Sequence, residues 1–220
     1  MIKNFMDLCK IAEDYTTYLQ NRGIKFNANG FPFFTKDMFL EETPELMIPY
    51  DFRKTRIVEH PDKTLLCFYC SDARIYPRLS NILNDISEYK KYLGAVATDV
   101  TITSDMDEEW QDFVMLLNQL FMAVLVVNGI KIVANLRTGN NKTHRNLGGI
   151  PAGVMWATGF LGCSKDKPYD MRFISSIITV HPSKLLIYGK NDPCATEKLS
   201  MIGIPYLIYP DYHTIRKEVA

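Results

Sequence analysis

The sequence predicts an α/β protein: a mostly parallel β sheet or incomplete (βα) barrel-like domain, with an N-terminal helix and an irregular wrapping segment before it. Three observations carry this. From residue 64 onward, short apolar runs rich in β-branched residues alternate with helical patterns, and near-continuous apolar strands belong to parallel sheets covered on both faces. Six candidate strands within about 150 residues fall short of the roughly 250 residues that a complete eight-stranded barrel takes. The residues before 64 carry one helical pattern and then lose periodicity.

In residues 4–22, Phe5, Leu8, Ile11, Ala12, Tyr15, Tyr18 and Leu19 recur at three- and four-residue steps and share one helix face, with Gly23 as the C-cap. Residues 24–62 hold Pro32, Pro44, Pro49 and Pro61 among aromatics. They read as extended and short helical pieces that wrap the surface, with Phe and Met side chains against the core. Strands are expected at 64–70, 95–102, 130–136, 153–158, 184–188 and 206–209, and helices at 78–93, 108–128 and 169–180. Only a brief helix fits before the last strand. We read residues 1–220 as one domain, with 1–63 as helix plus wrapping segment and 64–220 as the α/β core.

Twenty-five Lys and Arg balance twenty-five Asp and Glu, a formal net charge of +0, which argues against a strongly basic nucleic-acid binder or an acidic tail. Five cysteines without small-scaffold spacing, and no N-terminal leader pattern, point to a reducing, cytoplasmic home. The most apolar stretch, 113–127, is interrupted by Asn118 and Gln119. It is shorter than the roughly 18–20 residues of a membrane span, so a buried helix and no membrane association are expected.

Ligands of parallel α/β folds bind beyond the carboxyl ends of the strands. That rule collects Ser71, Asp72 and Arg74; Asp99 and Thr101; Arg137 and Thr138; Thr158; Cys163, Ser164 and Lys165; and Lys190, Asn191 and Asp192. Carboxylates, cations and hydroxyls on one rim suit a small polar or phosphorylated ligand. Helix capping is the competing role, with Asp72, Asp105 and Asp166 as N-caps. Asp99 stands out because it interrupts an apolar strand, and a buried carboxylate needs a partner. Arg137, ending a neighbouring strand, is a candidate partner; a structural ion pair or hydrogen bonds to loop backbone compete with a catalytic or ligand-anchoring role for Asp99. The polar loop 138–149 brings Lys142, His144 and Arg145 between glycines, as a flap over a ligand or as a solvated connection.

The expected ligand-binding set is therefore Asp72, Asp99, Arg137, Lys142, His144, Arg145, Thr158 and Lys190. If the protein is instead a hydrolase or transferase, Asp99 is the general base or metal ligand, Asp72 assists, and Arg137 or Lys190 stabilises developing negative charge. No P-loop, GxGxxG, HExxH or GxSxG pattern is present. Cys67 and Cys70 lie three apart in an expected strand and so face opposite sides. No cofactor is expected, and the one metal considered is a divalent ion between Asp72 and Asp99. A third reading has the 24–52 segment, with FPFF and MIPYDF as exposed anchors, contacting a host protein, or Arg53, Lys54 and Arg56 contacting nucleic acid. The oligomeric state is left open.

The pieces CFYCSDARIYPRLSNIL, YLGAVATDVTI, NGIKIVANLRTG, GIPAGVMWATGFLGCSKDK and HPSKLLIYGK, in that order, resemble the family called domain of unknown function 4417. The resemblance implies a phage, prophage or mobile-element accessory protein in a bacterial host cell and implies no reaction; counter-defence is one setting for the ligand-binding reading. It implies that Asp72, Asp99, Asn135, Gly149, Pro151, Gly162, Tyr188 and Gly189 occupy motif positions. Members commonly carry two adjacent acidic residues after the first strand, where this chain has Ser71 before Asp72.

Overall fold

The computed structural model describes residues 2–160 and 171–219. Seven short strands carry the architecture: β1 (Leu46–Pro49), β2 (Thr64–Cys67), β3 (Gly94–Val96), β4 (Ile132–Asn135), β5 (Met155–Phe160), β6 (Lys184–Gly189) and β7 (Tyr206–Tyr209). They pair in chain order, β1 to β7, and every pair is parallel. A doubly wound sheet reverses its strand order at a switch point, and this one does not. Successive parallel crossovers of one hand place their helices on one side and curl the sheet on the other, so the barrel-like form of the expected α/β fold is the one adopted.

The two faces of the sheet bury separate sets of side chains. Facing inward, each strand contributes at least one residue to a single cluster: Met47, Leu65, Val96, Val133, Met155, Leu186 and Tyr209. The outer face packs against the helices, through Ile48, Leu66, Ala95, Ile132, Trp156 and Leu185 among others. These helices are α1 (Phe5–Gln20), α2 (Asp72–Tyr89), α3 (Glu108–Val127), α4 (Met171–Val180), α5 (Pro193–Met201) and α6 (Tyr212–Val219). A reciprocal cap between Asn4 and Asp7 starts α1, and Leu8, Ala12, Tyr15 and Leu19 form its buried stripe. The Tyr15 hydroxyl donates to the Leu79 carbonyl on α2, and the Tyr18 hydroxyl to Asn128 Oδ1 beyond α3 at 3.1 Å. By length and composition α3 is apolar enough to cross a membrane. Twelve of its residues are buried within the protein, so it serves as the core helix that the sequence suggests.

Residues 24–63 do more than wrap. Leu40 donates its N–H to the Ile132 carbonyl (2.9 Å), beside the parallel bridge between Phe39 and Ile132, and its side chain joins the inward cluster. The chain then passes Thr43, which meets Lys184 Nζ at 2.6 Å, and Pro44, whose carbonyl accepts from the Tyr209 hydroxyl at 2.7 Å. It therefore crosses the floor of the barrel from β4 to β1 and closes that end. Phe34 N–H donates to the Gly149 carbonyl (3.0 Å), and a Cβ at Gly149 would lie 2.6 Å from the Pro32 carbonyl, so the segment lies flat on that glycine. At the other end, the rings of Phe52 and Tyr212 stack at 3.7 Å across the seam between β1 and β7, where no ladder forms among the described residues.

Several expectations change in detail. β1 lies inside the stretch read as irregular. The aromatic segment is not a row of exposed anchors: Phe31, Phe34, Met47, Ile48 and Tyr50 are buried, and Phe33 alone of its FPFF motif is exposed, because these side chains fill the floor and outer wall. Helix α2 starts six residues before the expected position and carries Pro77 inside. The expected strand 95–102 stops at Val96. The start of the expected helix 169–180 and the candidates Cys163, Ser164, Lys165 and Asp166 lie outside the described residues.

If Leu40 closes the floor, Leu40→Ala destabilises the protein by about 2–4 kcal/mol through the cavity it leaves. Urea denaturation measures this, and a loss below about 1 kcal/mol would remove Leu40 from that role.

Candidate functional site

With its floor plugged, the barrel presents its interior chemistry at the carboxyl ends of the strands. Tyr69, just past β2, turns inward and stacks on Tyr188 of β6, with ring centroids 5.7 Å apart and planes at 22°. The ring of Tyr69 lies over Gly159 of β5, where a Cβ would come within 2.7 Å of it, so a side chain there would displace the tyrosine. The Tyr69 hydroxyl donates to Asn135 Oδ1 at 3.1 Å. Asn135 Nδ2 in turn donates to the Thr98 carbonyl at 3.2 Å and to Asp99 Oδ1 at 2.8 Å. Arg137 completes the network as a fork, Nε to Asp99 Oδ1 and Nη2 to Asp99 Oδ2, both at 2.8 Å.

A change of alternation puts Asp99 there. Val96 faces inward, so a regular strand would send residue 98 inward and residue 99 out to the helices. Instead Thr98 turns to α3, its hydroxyl donating to Asn118 Oδ1 at 2.7 Å, while Val100 N–H reaches the same oxygen at 3.4 Å. Asp99 is thereby aimed at the mouth. Asp72, the first residue of α2, holds the far end of this segment by accepting from both Thr101 N–H and Thr101 Oγ1 at 3.0 Å. It is the N-terminal residue of the helix and not its cap. Ser71 occupies the cap position without a side-chain bond, and Asp107, not Asp105, caps α3.

The Asp99 side chain is 7% exposed and that of Arg137 is 34% exposed. The carboxylate raises the Arg137 pKa against the opposing effect of burial. Burial pushes the Tyr69 phenol well above its usual range, and the nearby Asp99 charge adds to this. Cys67, below the tyrosines, is likewise raised by burial, and Cys70 is pushed up to about 12. Neither thiol is a ready nucleophile at neutral pH.

The remaining expected residues divide. Lys190 follows β6 and is exposed on the rim. Thr158 is buried between the outward-facing Trp156 and the end of β5, away from the interior. The loop cations are docked on α3: Lys142 Nζ meets Glu108 at 2.8 Å, and Arg145 meets Glu108 at 3.2 Å and Asp112 at 2.5 Å. The loop backbone is also fastened, Asn140 N–H donating to Gln111 Oε1 at 2.7 Å, so these residues form a wall and not a raised flap. His144 Nε2 lies 3.0 Å from Ser176 Oγ, and burial lowers its pKa. Asp72 and Asp99 are engaged by different partners. Among the described residues no three His, Cys, Asp or Glu side chains gather as a metal site. Arg53 and Lys54, offered to nucleic acid, both lie against Glu88, at 3.3 and 3.6 Å.

The molecule is thus a barrel-like parallel α/β protein with an Asp–Arg fork, its carboxylate buried, at the carboxyl ends of the strands. A family model, Domain of unknown function (DUF4417), matches residues 28–207, and the chain belongs to that family. No curated protein and no solved structure matches it. Four of the motif positions that the resemblance implies, Asp72, Asp99, Asn135 and Tyr188, lie in or beside this network.

Removing the carboxylate strands a largely buried guanidinium. Asp99→Ala is expected to cost about 2–4 kcal/mol, below the full buried-pair penalty because Arg137 keeps partial access to water. In a double-mutant cycle with Arg137→Gln, the second change should restore part of that loss; simple additivity would mean the fork contributes nothing. Tyr69 and Tyr89 both have phenols raised by burial. The unfolded chain therefore gives up these protons first, near pH 10, and stability holds below that pH and falls above it. Absorbance at alkaline pH should show a tyrosine class that ionises only as circular dichroism reports unfolding. Ionisation of all tyrosines ahead of unfolding would contradict their burial.

Proposed function

We propose that the mouth binds a small phosphorylated ligand, nucleotides included, with Arg137 as the anion-binding group. One observation carries this reading. Asp99 occupies Nε and Nη2 and leaves Nη1 without a hydrogen-bond partner among the described residues, on a side chain that is one-third exposed. A fork already fixed by a buried carboxylate has little side-chain freedom left to lose on binding, and its free edge matches phosphate oxygens. Lys190 on the rim adds a cation that makes no ion pair among the described residues.

The geometry favours binding over hydrolysis or group transfer. Asp99 accepts three N–H groups, two on Oδ1 and one on Oδ2, which supports a positioning role for the carboxylate more than a catalytic one. Contact with a macromolecule has less support, since the aromatic anchors are buried and two of the three basic residues are neutralised by Glu88. In the setting that the family resemblance implies, a phage or mobile element in a bacterial cytoplasm, such a binder would sequester or sense a ligand, with counter-defence as one use.

Titration calorimetry against nucleoside mono- and diphosphates, inorganic phosphate and the matching nucleosides tests this. Heat is expected for phosphate-bearing probes and not for nucleosides, and Arg137→Gln should weaken binding by about tenfold or more. Silence from every phosphate, or equal affinity in the variant, would overturn the reading.

A further inference from the structure

Helices α1 and α2 both pack on α3, and between them the surface keeps a groove of about 300 Å³. Its lining is largely apolar, with Ile11 and Tyr15 from α1, Leu79, Ile82 and Leu83 from α2, and Val124 from α3. The Tyr15 hydroxyl donates to the Leu79 carbonyl, so the two helices are fastened across the groove and it is preformed. Asp14 is the one charged residue in its lining among the described residues. Leu83 also stands 49% exposed in the middle of an 18-residue helix.

The stripe of α2 beside this groove is free of charge. Over residues 77–87 the exposed positions are Pro77, Ser80, Asn81, Leu83, Asn84 and Ser87, none of them ionisable. The charged residues of the same stretch turn aside: Arg78 pairs with Asp85 at 2.9 Å, and both side chains are one-quarter exposed or less. Solvent-facing helix surfaces ordinarily carry charge, and its depletion marks the centre of an interface. Two of the polar side chains are also satisfied on their own helix, Asn81 Nδ2 donating to the Pro77 carbonyl at 2.8 Å and Ser80 Oγ to the Tyr76 carbonyl at 3.4 Å. Covering them strands few donors.

The absence of charge also says what covers this face. An isologous contact sets each residue near its two-fold axis against its own copy, so a charge there meets a like charge. A neutral stripe that carries a protruding leucine and a groove side by side meets that condition, whereas a partner of different sequence, free to match charge with opposite charge, would not require it. We infer that a second copy of this chain covers this face, the two α2 stripes meeting about a two-fold axis with Leu83 of each copy entering the groove of the other. The inference does not rest on the proposed anion site, since no residue of that site lines the groove.

Sedimentation velocity on the full chain, from about 1 to about 100 μM, tests this. The wild type is expected to pass from monomer to dimer across that range. Leu83→Glu carries a carboxylate into a groove that already holds Asp14, and should weaken the dimer by about tenfold or more. Circular dichroism should be unchanged, because the side chain is half exposed in the single chain. Met201→Glu, at the 78% exposed methionine of α5, should leave the dimer intact. Asn84→Asp adds like charges to the stripe and gives the same reading should Leu83→Glu fail to fold. A wild type that stays monomeric at about 100 μM overturns the second copy as the occupant. A dimer that Leu83→Glu leaves unchanged, or that Met201→Glu disrupts equally, overturns this face as the contact.

Discussion

A parallel sheet whose strands pair in chain order has an inner face that no crossover helix can cover, and that constraint organises the rest of this molecule. Curling hides most of the inner face against itself, with every strand contributing to one apolar cluster. Two openings remain at the ends and one along the seam. The chain between Phe39 and Glu45 closes the first by crossing the floor, held by Leu40 on Ile132, Thr43 on Lys184 and Pro44 on Tyr209. The Phe52 and Tyr212 rings bridge the seam. Polar chemistry is left to one end, the carboxyl ends of the strands, where the loops are free to supply it.

At that end a single buried carboxylate sets the local order. Asp99 can lie where it does only because Thr98 turns outward and because Asn135 and Arg137 supply three N–H donors. Those donors belong to the end of β4 and the residues after it, the outward turn belongs to Asn118 of α3, and Asp72 of α2 fixes Thr101 beyond it. Sheet, core helix and first crossover helix therefore meet on one carboxylate. The Asn118 oxygen shapes the backbone around Asp99 by accepting from Thr98 and Val100. A change on α3 would be felt at the mouth through packed contacts alone.

Most strands are legible in the sequence because burial on both faces leaves unbroken apolar runs such as Leu185 to Tyr188. Leu46–Pro49 is not legible: it is four residues long, follows Pro44, ends on Pro49 and sits at a sheet edge, so neither length nor alternation marks it. The pairing of Asp99 with Arg137 follows from the cost of burying a charge, which is visible in an apolar run. The end of β3 at Val96 is invisible, since the shift in alternation comes from Asn118, twenty residues away from Thr98 in the chain. The loop cations Lys142 and Arg145 look like ligand contacts because their partners, Glu108 and Asp112, lie on a different element. Asn118 and Gln119 do carry a signal, as two amides interrupting the most apolar segment, but which atoms are satisfied depends on Thr98 and Asn146.

The net charge of +0 acquires a spatial meaning from these pairs. Lys142 and Arg145 are offset by Glu108 and Asp112, Arg53 and Lys54 lie against Glu88, and Lys63 against Glu45. Balanced locally in this way, such cations contribute little field beyond a Debye length of about 8 Å at physiological salt. Arg137 is also paired, yet its side chain is one-third exposed while that of its partner is buried, so the cation is the more accessible member of the pair. Its neutral total charge therefore does not argue against an anionic ligand. The attraction that the proposed site would exert is short-ranged and directional, through fixed N–H donors, which suits a small anion at a mouth better than a long polyanion along a surface.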